Sequence, residues 1–158
     1  MIGRRALTLV FTVSCVAIAS SQLGAQPKPA PELDYAFYKA RVEPIFLRKK
    51  PGHTRCVVCH SESNNFLKLQ PLPHGANGQA AKSWTDEQSR QNYEAVSKLV
   101  NPGQPMVSRL LMHPLAPEGG GDVFHSGGRQ FMSVHDPDWK TMAAFVNGAT
   151  LGGRSKKN

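Results

Sequence analysis

Cys56-Val57-Val58-Cys59-His60 is the stretch from which the rest of this 158-residue chain becomes readable. Two thiols three residues apart, followed at once by an imidazole, form the Cys-x-x-Cys-His pattern of c-type haem attachment. The spacing has a chemical reason. Each sulfur can add across one vinyl group of a porphyrin, and the residue directly after the second cysteine then arrives beneath the iron, where a neutral imidazole nitrogen is a good ligand. Two other chemistries use the same cysteine pair. A thioredoxin-type dithiol expects a preceding strand and a βαβ setting, whereas the residues before Cys56 carry a helical pattern and those after His60 read as loop. A zinc site needs four ligands, and without a second cysteine pair it would have to recruit distant histidines. Covalent haem c on Cys56 and Cys59, with His60 as the proximal axial ligand, is therefore the expectation.

Export fits that chemistry, because such haems are attached outside the bacterial inner membrane. The chain begins Met1-Ile-Gly-Arg4-Arg5, continues through the apolar run Ala6 to Ala19, and passes into small and polar residues up to Gln26. This is the layout of a secretory leader. Cleavage after Ala19 or Ala25 would suit it, and Ala25 is favoured because Gln26-Pro-Lys-Pro-Ala-Pro reads as a mature tail. The apolar run falls short of the roughly 20 residues a membrane span needs. Lipidation of Cys15 is disfavoured, since Thr12-Val13-Ser14 lacks the leucine expected before such a cysteine. The expected division is a leader over 1–25, a Pro-rich tail over 26–32, one domain over 33–149 and a basic tail over 150–158. The location expected is periplasmic or otherwise exported.

The formal charge of +8 falls by two when Arg4 and Arg5 leave with the leader, and the chain stays basic. A basic surface speeds encounters with acidic redox proteins or an anionic lipid face. Nucleic acid is not an expected partner, because Lys and Arg are scattered and the leader directs the chain out of the cell. The roughly 130 residues after the leader suit one domain, yet frequent Gly and Pro leave little apolar material for a core. A large buried cofactor would supply the missing centre.

Helical periodicity appears in three places. Tyr35, Tyr38, Val42, Ile45 and Phe46 form a stripe opened by Asp34, with Pro44 expected to kink or tighten the helix and Pro51-Gly52 to end it. Thr85-Asp86-Glu87-Gln88 has the form of a capping box before Tyr93, Val96, Leu99 and Val100, and Asn101-Pro102-Gly103 stops that helix. Asp136 and Pro137 start a third, with Asp138 complementing the dipole and Trp139, Met142, Ala143 and Val146 on one face. A short helical turn is expected over Ser108 to Met112, whereas Ser61 to Lys82 and the Gly-rich stretch Pro117 to Gly128 read as loop. No strand pair and no repeat stands out, so the fold class expected is all-α.

The opposite face of the iron is open among several residues: Met106, Met112, His113, His125, Met132 and His135. His125 is favoured because it lies in Gly119-Gly-Gly-Asp-Val-Phe-His-Ser-Gly-Gly128, where missing side chains let backbone approach a flat macrocycle. Met106, Met112 and Met132 are the alternatives. Phe46, Leu67, Leu69, Leu110, Leu111, Phe124 and Phe131 are candidates for the apolar wall, which excludes water and tunes potential. Two strong ligands make a carrier that binds no substrate. An open position would instead allow peroxide, nitric oxide or oxygen chemistry.

The helix ending Val42-Glu-Pro44-Ile45-Phe46, the Cys56-to-His60 motif and the terminal Trp139-Lys-Thr-Met142-Ala-Ala-Phe145-Val146-Asn-Gly148-Ala149 helix together resemble a small c-type cytochrome. More narrowly, Ser108-Arg-Leu-Leu-Met-His113-Pro-Leu, His125-Ser-Gly-Gly and Asp136-Pro-Asp-Trp139 are similar to planctomycete-type cytochrome c domains, over about Leu33 to Gly148. The resemblance implies a first and a last helix that cross and pack beside the haem. It also implies that a proline after the motif, Pro71 or Pro73, offers its carbonyl to the ring N–H of His60 and fixes its tautomer. The function expected is a periplasmic one-electron carrier rather than an enzyme. The rivals are a five-coordinate haem enzyme or gas sensor, and an electron-accepting subunit of a dehydrogenase complex.

Overall fold

A computed structural model describes residues 28–62 and 65–153. The expected leader over 1–25, with Cys15, lies outside the described residues, as does most of the basic tail. The described chain is helical, with no strand beyond two isolated bridges, His74 to Ala80 and Leu115 to Phe131. None of its helices is long and apolar enough to cross a membrane.

The first rod begins as α1 (Tyr35–Phe37), passes through a π-helical turn (Tyr38–Val42) and continues as α2 (Glu43–Leu47). Asp34 caps it by accepting from the Phe37 N–H. Pro44 follows a widened turn and not a tightened one. It has no N–H to give the fourth residue back, and its ring would press on that carbonyl, so the turn before it widens until the Glu43 N–H reaches Tyr38 O. Tyr38, Val42, Glu43, Ile45 and Phe46 are buried as a result. The rod ends at Leu47, earlier than Pro51-Gly52 suggests. Beyond it Arg48 is extended, and charge draws the chain away: Arg48 pairs with Asp138 at 3.1 Å and Lys50 with Asp136 and Asp138 at 3.2 Å each.

α3 (Cys56–Glu62) carries the motif itself, a helix the sequence reading placed as the approach to a loop. The next segment alternates: Leu67 and Leu69 are buried, whereas Phe66 and Lys68 face out. It hangs from α4 (Asp86–Ser97), where Asn92 accepts from the Gln70 N–H at 2.7 Å and the Gln88 amide donates to Pro71 O. α4 starts on the expected box, with Thr85 and Gln88 capping each other's backbone. Its buried face is unusually polar. Ser89 and Asn92 are fully buried beside Val96, because one holds Glu43 at 3.1 Å and the other holds the loop.

α5 (Arg109–Met112) plants Leu110 and Leu111 in the core. α6 (Pro137–Val146) is capped by Asp136, which accepts from the Asp138 and Trp139 N–H groups. Its buried residues include the expected Trp139, Met142, Ala143 and Val146 and also Phe145, whose ring lies 5.9 Å from that of Tyr38 at a tilt of 51°. First and last helices therefore touch through this pair. Tyr93 joins them, 5.4 Å from Tyr38 and 6.2 Å from Phe145, and closes an aromatic cluster at one end of the molecule.

Candidate functional site

At the other end a cavity of about 960 Å³, counted out to its open mouth, lies between α2, α3, α5 and the Gly-rich loop. The space inside it open to a water-sized molecule is about 110 Å³. Ile45, Phe46, Leu67, Leu110, Phe131 and Met142 supply apolar wall. Cys56, Cys59, His60, His113 and His125 bring the chemistry.

Helical geometry sets out the motif. Residues three and four apart share a helix face, so Cys59 and His60 both rise from the side of α3 that carries Cys56. The Cys56 thiol is half-buried, and burial pushes its pKa up to about 11. A reactive redox cysteine needs the reverse, a neighbourhood that stabilises the thiolate. His60 Nδ1 lies 2.9 Å from Leu67 O. A carbonyl oxygen only accepts, so Nδ1 carries the proton and Nε2 keeps its lone pair. The carbonyl comes from Leu67 and not from Pro71 or Pro73. Leu69 N–H bonds back to His60 O at 2.9 Å, which folds the chain over α3 before either proline is reached, while Pro71 O and Pro73 O take Gln88 and Ala81. Desolvation holds the His60 pKa below the usual histidine range, with the nearby His125 and His113 adding to it against the Leu67 bond, so the ring is neutral at pH 7.

His125 stands on the far side. Its Nδ1 lies 2.6 Å from Gly128 O and donates to it, which leaves Nε2 as the ring nitrogen not engaged by that carbonyl. The two ring centres are 6.2 Å apart and the planes differ by 18°. The loop permits this because Gly127 presses on the ring: a Cβ there would lie 3.1 Å from His125 Cε1. His113 stands edge-on beside it, with ring centres 4.9 Å apart at 85°.

The other sequence candidates separate clearly. Met106 and Met132 are exposed at 46% and 68%, Met112 packs partly buried against the core, and none of the three lines the cavity. Leu69 and Leu111 are fully buried in the core behind the wall. Phe124 is 69% exposed and outside the cavity, because the loop turns His125 inward and its neighbour out. His113, one of the residues left open from sequence for the far face, caps α5 and lines the cavity. Its partner Asp122 is nine residues away, a spacing with no local signature. Met142, placed by its period on one face of the last helix, is 2% exposed and also lines the cavity.

Among the described residues no three His, Cys, Asp or Glu side chains gather closely enough to hold a metal, and zinc would require four. A six-coordinate haem iron would take one donor on each face from the protein. An imidazole nitrogen binds a metal at about 2 Å, and a ring with bonds near 1.3 Å puts its centre about 1.1 Å further on. Two such rings on one iron have centres a little over 6 Å apart, close to the separation observed. No family model, curated protein or solved structure matches this chain.

Proposed function

We propose that this chain is a monohaem c-type cytochrome that carries single electrons outside the cytoplasm, with Cys56 and Cys59 forming the thioethers and His60 and His125 the axial ligands. The observation that carries the reading is the His60–His125 pair: two imidazoles 6.2 Å apart, each with Nδ1 spent on a backbone carbonyl, in a cavity that also holds both motif cysteines. The resemblance to planctomycete-type cytochrome c domains and the Tyr38–Phe145 contact between first and last helices agree with it. The haem would supply an iron that alternates between two oxidation states. Every other part of the task falls to the protein. Leu67 O and Gly128 O each hold one Nδ1, burial keeps His60 neutral, and Phe46, Leu67, Leu110 and Phe131 exclude water.

Ligation by two histidines changes little on reduction, so electron transfer reorganises little. It also gives a lower potential than a His–Met pair. The basic surface suits acidic redox partners, and a leader would deliver the chain to the periplasm. A five-coordinate enzyme or sensor is the weaker reading, because it needs His125 away from the iron. A dedicated subunit of a dehydrogenase would use the same site.

Maturation of the chain in a host that attaches haem c tests this. A haem that survives denaturing electrophoresis and depends on Cys56 and Cys59, with a low-spin spectrum that turns high-spin in His125→Ala, is the expected result. A wild-type protein without covalent haem would refute the cofactor. A high-spin wild type that binds carbon monoxide quickly would refute the carrier.

A further inference from the structure

His125 sits on a loop without regular structure, flanked by Ser126, Gly127 and Gly128, and one carbonyl bond leaves its ring free to swing about that bond. Something else must hold its plane. The His113 ring meets it at 85°, 4.9 Å between centres, and His113 is itself held firmly. Its backbone N–H closes α5 on Arg109 O at 3.1 Å, behind the buried Leu110 and Leu111. Its Nδ1 lies 2.8 Å from Asp122 Oδ2, and the Asp122 N–H reaches back to Met112 O at 3.0 Å. The loop is thus fastened to α5 twice, by backbone and side chain, three residues before His125. Gly127 closes the other side.

We infer that His113, braced by Asp122, is a positioning residue that sets the plane of the His125 ring near that of His60 and keeps His125 on the iron. The inference rests on His125 being a ligand. A carboxylate that takes the Nδ1–H of His113 fixes that ring as neighbouring partners fix metal-bound histidines, but one step further out: His113 touches the ligand's ring and not the metal. Ring contact at this angle is the edge-to-face geometry that aromatic pairs prefer. It resists rotation of His125, whereas a single hydrogen bond does not.

The test uses the matured full-length protein. The spread of the EPR g-values of a low-spin ferric haem follows the angle between its two axial imidazole planes, and carbon monoxide binding to the ferrous protein reports how readily the distal ligand leaves. His113→Ala should alter the g-values and speed carbon monoxide binding by at least tenfold. Asp122→Ala should move both in the same direction, and the double variant should match His113→Ala, because residues acting as one unit are non-additive. His113→Phe, which keeps a flat ring edge, should restore most of the slow binding. Unchanged g-values and binding rates in His113→Ala, with a low-spin wild type, would overturn this inference alone. A low-spin spectrum lost in His113→Ala but kept in His125→Ala would overturn it too, by making His113 the ligand. A high-spin wild type would overturn both the ligand and its support.

Discussion

The Nζ of Lys50 stands 3.2 Å from Asp136 and 3.2 Å from Asp138 while lying 4.5 Å over the ring of Phe131. It also reaches Gln130 O at 3.2 Å. One side chain therefore joins three things: the segment leading into α3, the capped start of α6, and a wall of the cavity. Lys50 and Asp138 keep only 21% and 9% of their side-chain surface in water, so this is a semi-buried cluster and not a surface pair.

Lys50→Met should accordingly destabilise the matured protein. Removing one partner of a buried ion pair costs about 3–5 kcal/mol. Arg48 still reaches Asp138 at 3.1 Å, and the partial exposure screens what is lost, so about 2 kcal/mol is expected in urea unfolding. A midpoint equal to wild type would mean the cluster contributes nothing.

Glu43 offers a pH-dependent test. It is 5% exposed, Ser89 bonds one carboxylate oxygen at 3.1 Å, and the other has no protein partner among the described residues. Burial raises its pKa above the ordinary 4.5, against the smaller pull of Ser89 and Lys39. A folded pKa above the unfolded one means the folded state holds the proton more tightly. Its contribution is complete below about pH 4.5 and is lost as pH rises through the folded value. Glu43→Gln removes the charge, so stability should rise at pH 7 by on the order of 1 kcal/mol. The two proteins should converge near pH 4. A constant difference across pH would rule out the carboxylate as its source.

Gly127→Ala tests the loop face of His125. The new methyl would lie 3.1 Å from His125 Cε1 and 3.6 Å from Nδ1, and no positive φ adds backbone strain. The ring has to yield. Global stability should fall by less than about 1 kcal/mol, as for an over-packed surface loop, while carbon monoxide binding to the reduced protein accelerates. Wild-type binding kinetics in this variant would show that the ring has room to spare.

Gly121→Ala should behave differently. A Cβ there would fall 2.0 Å from Leu115 O and 2.7 Å from Leu115 Cβ, backbone and buried side chain that cannot step aside. The loss belongs with the large mutational effects, roughly 4 kcal/mol or more. Thermal unfolding of the matured protein measures it. A drop of a degree or two would contradict the packing described.

Much of the helical framework was legible because its signals are local. Asp34, the Thr85–Gln88 box and the Asp136-Pro137 start each act on backbone within three residues, and each caps a helix as read. The apolar stripes of the rod and of α6 are buried for the same reason: the period of a helix decides which side chains share a face. Local reasoning failed where a distant partner competed. The rod stopped at Leu47 as Arg48 and Lys50 turned to α6, and the apolar Phe124 faced out once His125 turned in.

By itself, then, the sequence determined the grouping of Cys56, Cys59 and His60, since they sit within one helical turn and a bond more, and it determined the starts of the helices that surround them. Only the tertiary structure decided what His60 meets. Leu67 O in place of a proline carbonyl, the His125 ring 6.2 Å from that of His60, and His113 braced by Asp122 beside it are all contacts between segments with no periodic relation. Chain spacing carries no record of such meetings, because they follow from how α5, the Gly-rich loop and α6 pack once their apolar faces are buried.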